Sequence, residues 1–303
     1  MGLMTGLPPR ASFDRETVAK AESGTREAVS SGPSSPDPWA RLRNATRARI
    51  GLGRTGDTQI TRDVLAFQGC HAGARDAVHA ALDPARLAAA IRNASPLCPE
   101  PLVVSSQASD RATYLRRPDL GRRLCRSARA VLPRERWDLV LVLADGLSPR
   151  AVETQGPALF SAVCEALPGW RIAPPVIALQ GRVAIGDEIA ETMGAAFVAV
   201  LIGERPGLSV HDSMGVYLTY RPVSGTPDSR RNCLSNIHAH GLAIPEACAK
   251  LVWLLNEARR LQTTGVALKD RAPSLAPSSV SSAASSFPTS SSPSPSPETP
   301  HDD

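Results

Sequence analysis

The stretch Leu139-Val140-Leu141-Val142-Leu143-Ala144 is apolar at every position, and a second run of the same kind, Ala196-Phe197-Val198-Ala199-Val200-Leu201-Ile202, follows downstream. A strand that is apolar on both of its alternating sides must be covered on both faces, which calls for a mostly parallel sheet with helices above and below it. The intervening sequence supplies such helices. Ser148 opens an amphipathic pattern over 148–166, residues 175–179 read as a strand, and 181–193 read as a helix. Upstream, 102–105 is a short strand candidate, while 110–117 and 119–131 read as helices. Downstream, 216–220 is a further strand, and 244–261 is a terminal helix with Ala247, Leu251, Leu254, Leu255 and Ala258 on its buried face. The expectation is an α/β fold: a Rossmann-like, mostly parallel sheet flanked by helices, with an N-terminal helical extension and disordered tails.

The extension is read from 58–82, a helix with Val64, Leu65, Ala72, Ala74, Val78 and Leu82 on or near one face, and from a second short helix at 84–91. Outside these patterns the composition changes. Residues 1–37 are rich in Ser, Pro, Gly and charge, and 270–303 are dominated by Ser and Pro, so neither end offers enough apolar surface to offset the entropy of ordering it. The expected organisation is therefore a tail at 1–37, a helical extension at 38–94, a Rossmann-like domain at 95–269 and a second tail at 270–303.

The formal net charge of +5, from 34 Lys plus Arg against 29 Asp plus Glu, is a mild excess that does not demand a nucleic acid. Arginines cluster at 41–54 and 111–126, but the second cluster contains Tyr114 as its one aromatic, so stacking platforms for single strands are missing. An arginine-covered helix face or a polar subunit contact fits better. Six cysteines lie far apart without a C-x-x-C pair, which fits a reduced cytosol. The first residues carry too short an apolar run for a signal peptide, and the longest apolar stretch is well below the ~20 residues of a membrane span.

In a sheet of this kind ligands bind outside the carboxyl ends of the strands. Three glycine-containing loops fall there: Asp145-Gly146-Leu147-Ser148, Gln180-Gly181-Arg182-Val183 and Gly203-Glu204-Arg205-Pro206-Gly207. Two other patterns carry less weight. Gly51-Leu52-Gly53-Arg54-Thr55-Gly56 spells a dinucleotide fingerprint, but a basic, non-strand segment precedes it, so a plain turn is the better reading. Asn236-Ile237-His238-Ala239-His240-Gly241 resembles a cobalt-ligating histidine motif with Asn in place of Asp. Asn lacks the anionic character that orients and strengthens an imidazole ligand, which leaves His238 as a hydrogen-bonded loop histidine. His71 and His79 read as packing or interface residues.

Several longer segments recur in a fixed order: T-R-D-V-L-A-F-Q at 61–68, A-R-D-A-V-H at 74–79, Y-L-R-R-P-D-L-G-R-R-L at 114–124, L-A-D-G-L-S at 143–148, G-R-V-A-I-G-D-E-I at 181–189, G-E-R-P-G at 203–207 and R-N-C-L-S-N-I-H at 231–238. Together they resemble the small subunit of ethanolamine ammonia-lyase, over about 40–258. One departure is Gly69-Cys70, where the family usually has apolar helix formers and a loosened helix is expected.

The resemblance implies a heteromeric, cytoplasmic lyase and leaves enclosure in a bacterial microcompartment open; the stretch 13–21, where such targeting would sit, is only weakly amphipathic. It further implies adenosylcobalamin as cofactor, a large-subunit partner that holds ethanolamine, and no catalytic or metal-ligating residue in this chain. Carried over along the matching motifs, the residues expected to touch the cofactor are Val183, Glu204 and Cys233. Val183 would face a corrin edge from the first turn of a helix, Glu204 would accept hydrogen bonds from cofactor amides or hydroxyls, and Cys233 would contact it by backbone or sulfur. Asp145, Ser235 and Asn236 are second candidates on the same edge. The competing readings are a stand-alone nucleotide- or flavin-binding module on the same sheet edge and an RNA-binding surface at 111–126.

Overall fold

A computed structural model describes residues 37–271; nearly all of the two expected tails, including 13–21, lies outside the described residues. The chain divides into two compact units between Ile60 and Thr61. The described part of the first holds a short helix α1 (Ala40–Ala45) and a hairpin of β1 (Arg54–Thr55) and β2 (Thr58–Gln59). Gly56 sits in the hairpin turn at φ +61°, a conformation that favours glycine. The glycine pattern at 51–56 thus leads into a turn, after a helix and not a strand, as expected.

The second unit runs α2 (Thr61–His79), α3 (Pro84–Ala94), β3 (Leu102–Ser105), α4 (Arg111–Arg116), β4 (Trp137–Ala144), α5 (Pro149–Ala166), β5 (Val176–Leu179), α6 (Ile185–Met193), β6 (Ala195–Gly203), β7 (Met214–Tyr220), β8 (Arg231–Ile237) and α7 (Ile244–Leu261). Among the described residues its six strands form one sheet in the order β3-β5-β4-β6-β7-β8. The first four are parallel, and β7 and β8 add to one side as antiparallel strands. Helix starts follow the local sequence. The Asp83 carboxylate accepts from the Ala85 and Arg86 N–H groups ahead of α3, Ser148 does so from Ala151 ahead of α5, and proline opens both helices. Helix α6 stops at Gly194, φ +78°, where a Cβ would lie 2.4 Å from the Glu135 carbonyl oxygen.

Alternation along the strands builds two cores. Leu139, Leu141 and Leu143 of β4, with Phe197, Ala199 and Leu201 of β6 and Val216 and Leu218 of β7, face α3, α5 and α7. Val140, Val142, Val198, Val200 and Ile202 point the other way, toward α6 and the turns that carry Leu124, Ala128 and Leu132. Doubly apolar strands are covered on both sides, and the expected α/β architecture holds.

Four local readings need correction. Residues 119–131 form no continuous helix but two short 3-10 segments, Leu120–Arg122 and Ser127–Val131. Between them the backbone is drawn to α6 and to β3: Leu124 N–H donates to the Glu188 carboxylate at 3.0 Å and Cys125 N–H to the Ser105 carbonyl at 3.0 Å. Helix α6 begins at Ile185, so Val183 stands in the turn before it and not in its first turn. Segment 231–237, read only as a motif, is the edge strand β8. Finally, α2 is unbroken across Gly69-Cys70, although none of its residues is fully buried.

Candidate functional site

The three loops after β4, β5 and β6 interlock at the carboxyl edge. Asp145, 1% exposed, accepts from the backbone N–H groups of Gln180 and Gly181 at 2.8 and 2.9 Å and from Arg111 at 3.4 Å. Burial pushes its carboxyl up, against the pull of these donors. Gly146 lies at φ +55°, and a Cβ there would sit 2.2 Å from the Gly203 carbonyl oxygen. Leu147 N–H donates to that same oxygen at 2.9 Å. Asp145 is thus an internal anchor of the edge, holding one loop to the next.

Glu204 leaves the end of β6 half-buried. Its Oε2 accepts from the Ser213 hydroxyl at 2.5 Å and from the Asn236 N–H at 3.2 Å. Asn236 reaches this position in the left-handed region, φ +64°, which Asn tolerates better than most residues. Beneath the carboxylate lies Gly215, where an added Cβ would come within 3.0 Å of Oε1.

Two residues along β7 from Gly215 is Tyr217, half-buried and directly opposite Cys233 of β8. Cys233 is exposed on the edge strand. Tyr217 and Cys233 are thus nearest cross-strand neighbours. Withdrawal from water, with Cys233 and Glu204 beside it, pushes the phenol up to about 12. The thiol is also raised, by withdrawal from water first and by Glu204, while the Tyr217 hydroxyl pulls the other way. Tyr217 and Val183 both pack on the core beneath α6. Tyr217 pairs with Cys233 across the strands, Glu204 lies over Gly215 two residues away on β7, and Val183 packs on the same face of the sheet as Tyr217. Ser235 is exposed further along β8.

The start of β8 is fixed by a buried ion pair. Both Arg231 terminal nitrogens reach the Asp187 carboxylate at 2.7 Å, and the guanidinium also donates to Thr219 and to the Thr226 carbonyl. This joins the edge strand to α6. His238, 6% exposed, accepts the His240 N–H at Nδ1 and holds the Asn236 side-chain oxygen through Nε2 at 2.8 Å. Both ring nitrogens are committed to protein groups, as expected for a hydrogen-bonded loop histidine. Among the described residues, no group of three or more His, Cys, Asp or Glu is placed to hold a metal ion, and no helix is long and apolar enough to cross a membrane. Among the described residues no disulfide joins any of the six cysteines.

Tyr217, Gly215 and Ser213 complete this surface and were not among the residues singled out from sequence. An available indication was the alternation in Arg231-Asn232-Cys233-Leu234-Ser235, where Leu234 is buried while Cys233 and Ser235 are exposed. Reading it as a strand places Cys233 beside a β7 residue. Which one depends on the irregular register near Met214 and Val216, which sequence does not reveal.

Comparison with known proteins places the chain in a family. Residues 36–269 match the family described as Ethanolamine ammonia-lyase light chain (EutC). A protein of Xanthomonas campestris pv. campestris named ethanolamine ammonia-lyase small subunit is 49% identical over 252 residues, covering 80% of this chain and 92% of that protein. A protein of the same name from Pseudomonas putida is 48% identical over 248 residues, 79% of this chain and 90% of the relative. Another from Rhodococcus erythropolis is 48% identical over 236 residues, 77% and 90% respectively. With the match spanning the sheet, its carboxyl edge and β8, the chain belongs to the ethanolamine ammonia-lyase light-chain family.

Proposed function

We propose that this chain is the small subunit of an ethanolamine ammonia-lyase and that Val183, Glu204 and Cys233 hold adenosylcobalamin against a large subunit. The observation that carries this reading is the neighbouring placement of Glu204, Tyr217 and Cys233 where the helical cover of one sheet face ends. The donor set suits the rim of a corrin, which offers amide groups and methyls. Glu204 has Oε2 engaged by Ser213 and Asn236, which leaves Oε1 as an acceptor above Gly215. Val183 and the Tyr217 ring offer apolar contact, and the raised pKa of the thiol keeps Cys233 neutral at pH 7.

Bound adenosylcobalamin supplies the radical chemistry that converts ethanolamine to acetaldehyde and ammonia. The residues of this chain bind, orient and shield. Ser213 and Asn236 fix the Glu204 carboxylate in one position, so the cofactor meets a preorganised acceptor. The Arg231–Asp187 pair keeps Cys233 in register. The partner closes the open side and excludes water. Within the extension at 38–94, α3 packs into the core, and α2 is the part that meets the large subunit, in keeping with the absence of any fully buried residue from α2 and the exposure of its Leu65. The complex works in the cytoplasm, and its enclosure in a microcompartment is a separate question for localisation by microscopy.

Co-expression with a large subunit, followed by gel filtration with adenosylcobalamin and an ammonia-release assay with ethanolamine, tests the reading. The pair is expected to retain the cofactor and release ammonia, and the isolated chain to do neither. Tight cofactor binding by this chain alone, or a pair that assembles without retaining cofactor, overturns it.

A further inference from the structure

A second feature of the carboxyl edge plays no part in the reading above. A cleft of about 580 Å³ opens between α2 and the loops that follow β4, β5 and β6. Arg75 and His79 of α2 and Arg182 and Arg205 of the loops line it, Val78 and Leu115 add apolar wall, and no Asp or Glu borders it. Under this lining the fully buried Tyr114 ring has two guanidinium groups over it, Arg182 at 4.3 Å and Arg111 at 4.8 Å from the ring centroid. The Tyr114 hydroxyl donates to the Gly181 carbonyl, so ring and loop are fixed.

The charges here do not balance. Arg111 donates to the carbonyls of Val78 and Gly146 and to Asp145, which also serves two backbone N–H groups. Its Nη2 is buried without a hydrogen-bond partner, and so is Nε of Arg182. A buried N–H with no acceptor is destabilising, and a guanidinium matches the oxygens of a phosphate or carboxylate better than any other group. Burial accordingly works against the charge on Arg111, with Asp145 only partly offsetting it.

We infer that this cleft binds an oxyanion, a phosphate or carboxylate group carried on a partly apolar body, with Arg182 and Arg205 as its principal contacts. The apolar wall accounts for the second half of that description, and the absence of carboxylates from the lining for the first. Either a small molecule or an acidic side chain of a partner subunit presents this chemistry.

Phenyl phosphate is the probe, titrated calorimetrically into the full chain beside inorganic phosphate and the neutral benzyl alcohol. Saturable binding is expected for phenyl phosphate, weaker binding for phosphate, and none for benzyl alcohol. Arg205→Gln, on a surface loop, and Arg182→Gln should each weaken phenyl phosphate by about tenfold, with melting temperatures confirming that both variants fold. Arg260→Gln on α7 should leave binding unchanged. A repeat on the chain assembled with its large subunit separates the sources: undiminished binding identifies a small-molecule site, and lost binding identifies a partner carboxylate seated there. Failure of the folded chain to bind phenyl phosphate, equal binding of benzyl alcohol, or an Arg205→Gln chain that binds like the parent overturns the inference.

Discussion

The two faces of the sheet are treated unequally. One is covered by α3, α5 and α7, and its core extends across β7 to Leu234 and Ile237 of β8. On the other, α6 and two short 3-10 segments cover β4, β5 and β6, and the cover thins at Tyr217, half-buried, and ends at Cys233, exposed. The same alternation of side chains thus yields a closed core on one side and, on the other, a core that ends in a polar, thiol-bearing surface. Antiparallel addition of β7 and β8 widens the sheet beyond the reach of α6, and that surplus surface is where a ligand and a second polypeptide can be accommodated.

Substitutions that respect or cross this division should behave differently. The largest effect is expected at the Arg231–Asp187 pair, with side chains 2% and 0% exposed. Arg231→Ala leaves Asp187 charged and buried, which should cost about 3–5 kcal/mol in urea unfolding and disturb β8 at the same time. Leu141→Ala, in the closed core and 0% exposed, should cost about 2–5 kcal/mol, while the fraction that remains folded keeps its affinity for cofactor. Glu204→Gln should show the opposite balance: a stability change within about 1 kcal/mol, but roughly tenfold weaker cofactor retention by the assembled pair, measured by equilibrium dialysis.

The smallest effect is a pH dependence. Cys233 is raised above an ordinary thiol, whereas Cys125 is lowered by its hydrogen bond to the Ser127 hydroxyl. Because the thiolate is the reactive form, iodoacetamide should label Cys125 at a lower pH than Cys233, resolved by peptide mass spectrometry. For Cys233 the folded value lies above the unfolded one, so its contribution to stability is fully present below the ordinary thiol pKa. It is lost as pH rises through the raised value.

Much of the fold was legible because its strands are apolar throughout. Leu139 to Ala144 and Ala196 to Ile202 announce two-sided burial, and the three edge loops follow from strand direction alone. The edge strand β8 was harder to read: an edge strand buries one side only, and Arg231 and Asn232 at its start look like loop residues until Asp187 is seen to accept from Arg231, and Asn232 to donate to the Leu268 carbonyl and accept from the Gly265 N–H. The helix expected at 119–131 failed for a related reason. Its apolar spacing suits a helix, but the Glu188 carboxylate and the Ser105 carbonyl, both distant in sequence, capture its backbone N–H groups. At the candidate site, Glu204 and Cys233 came from motif resemblance, while Tyr217, the cross-strand neighbour of Cys233, required the β7–β8 register.

The most direct test labels Cys233 with iodoacetamide in the isolated chain, in the pair with the large subunit, and in the pair with adenosylcobalamin, reading each peptide by mass spectrometry. Labelling in the isolated chain and protection once partner and cofactor are both present is the expected result. Equal labelling of Cys233 in all three samples, from a pair shown to be assembled and loaded, would contradict the assignment of this open face to the cofactor.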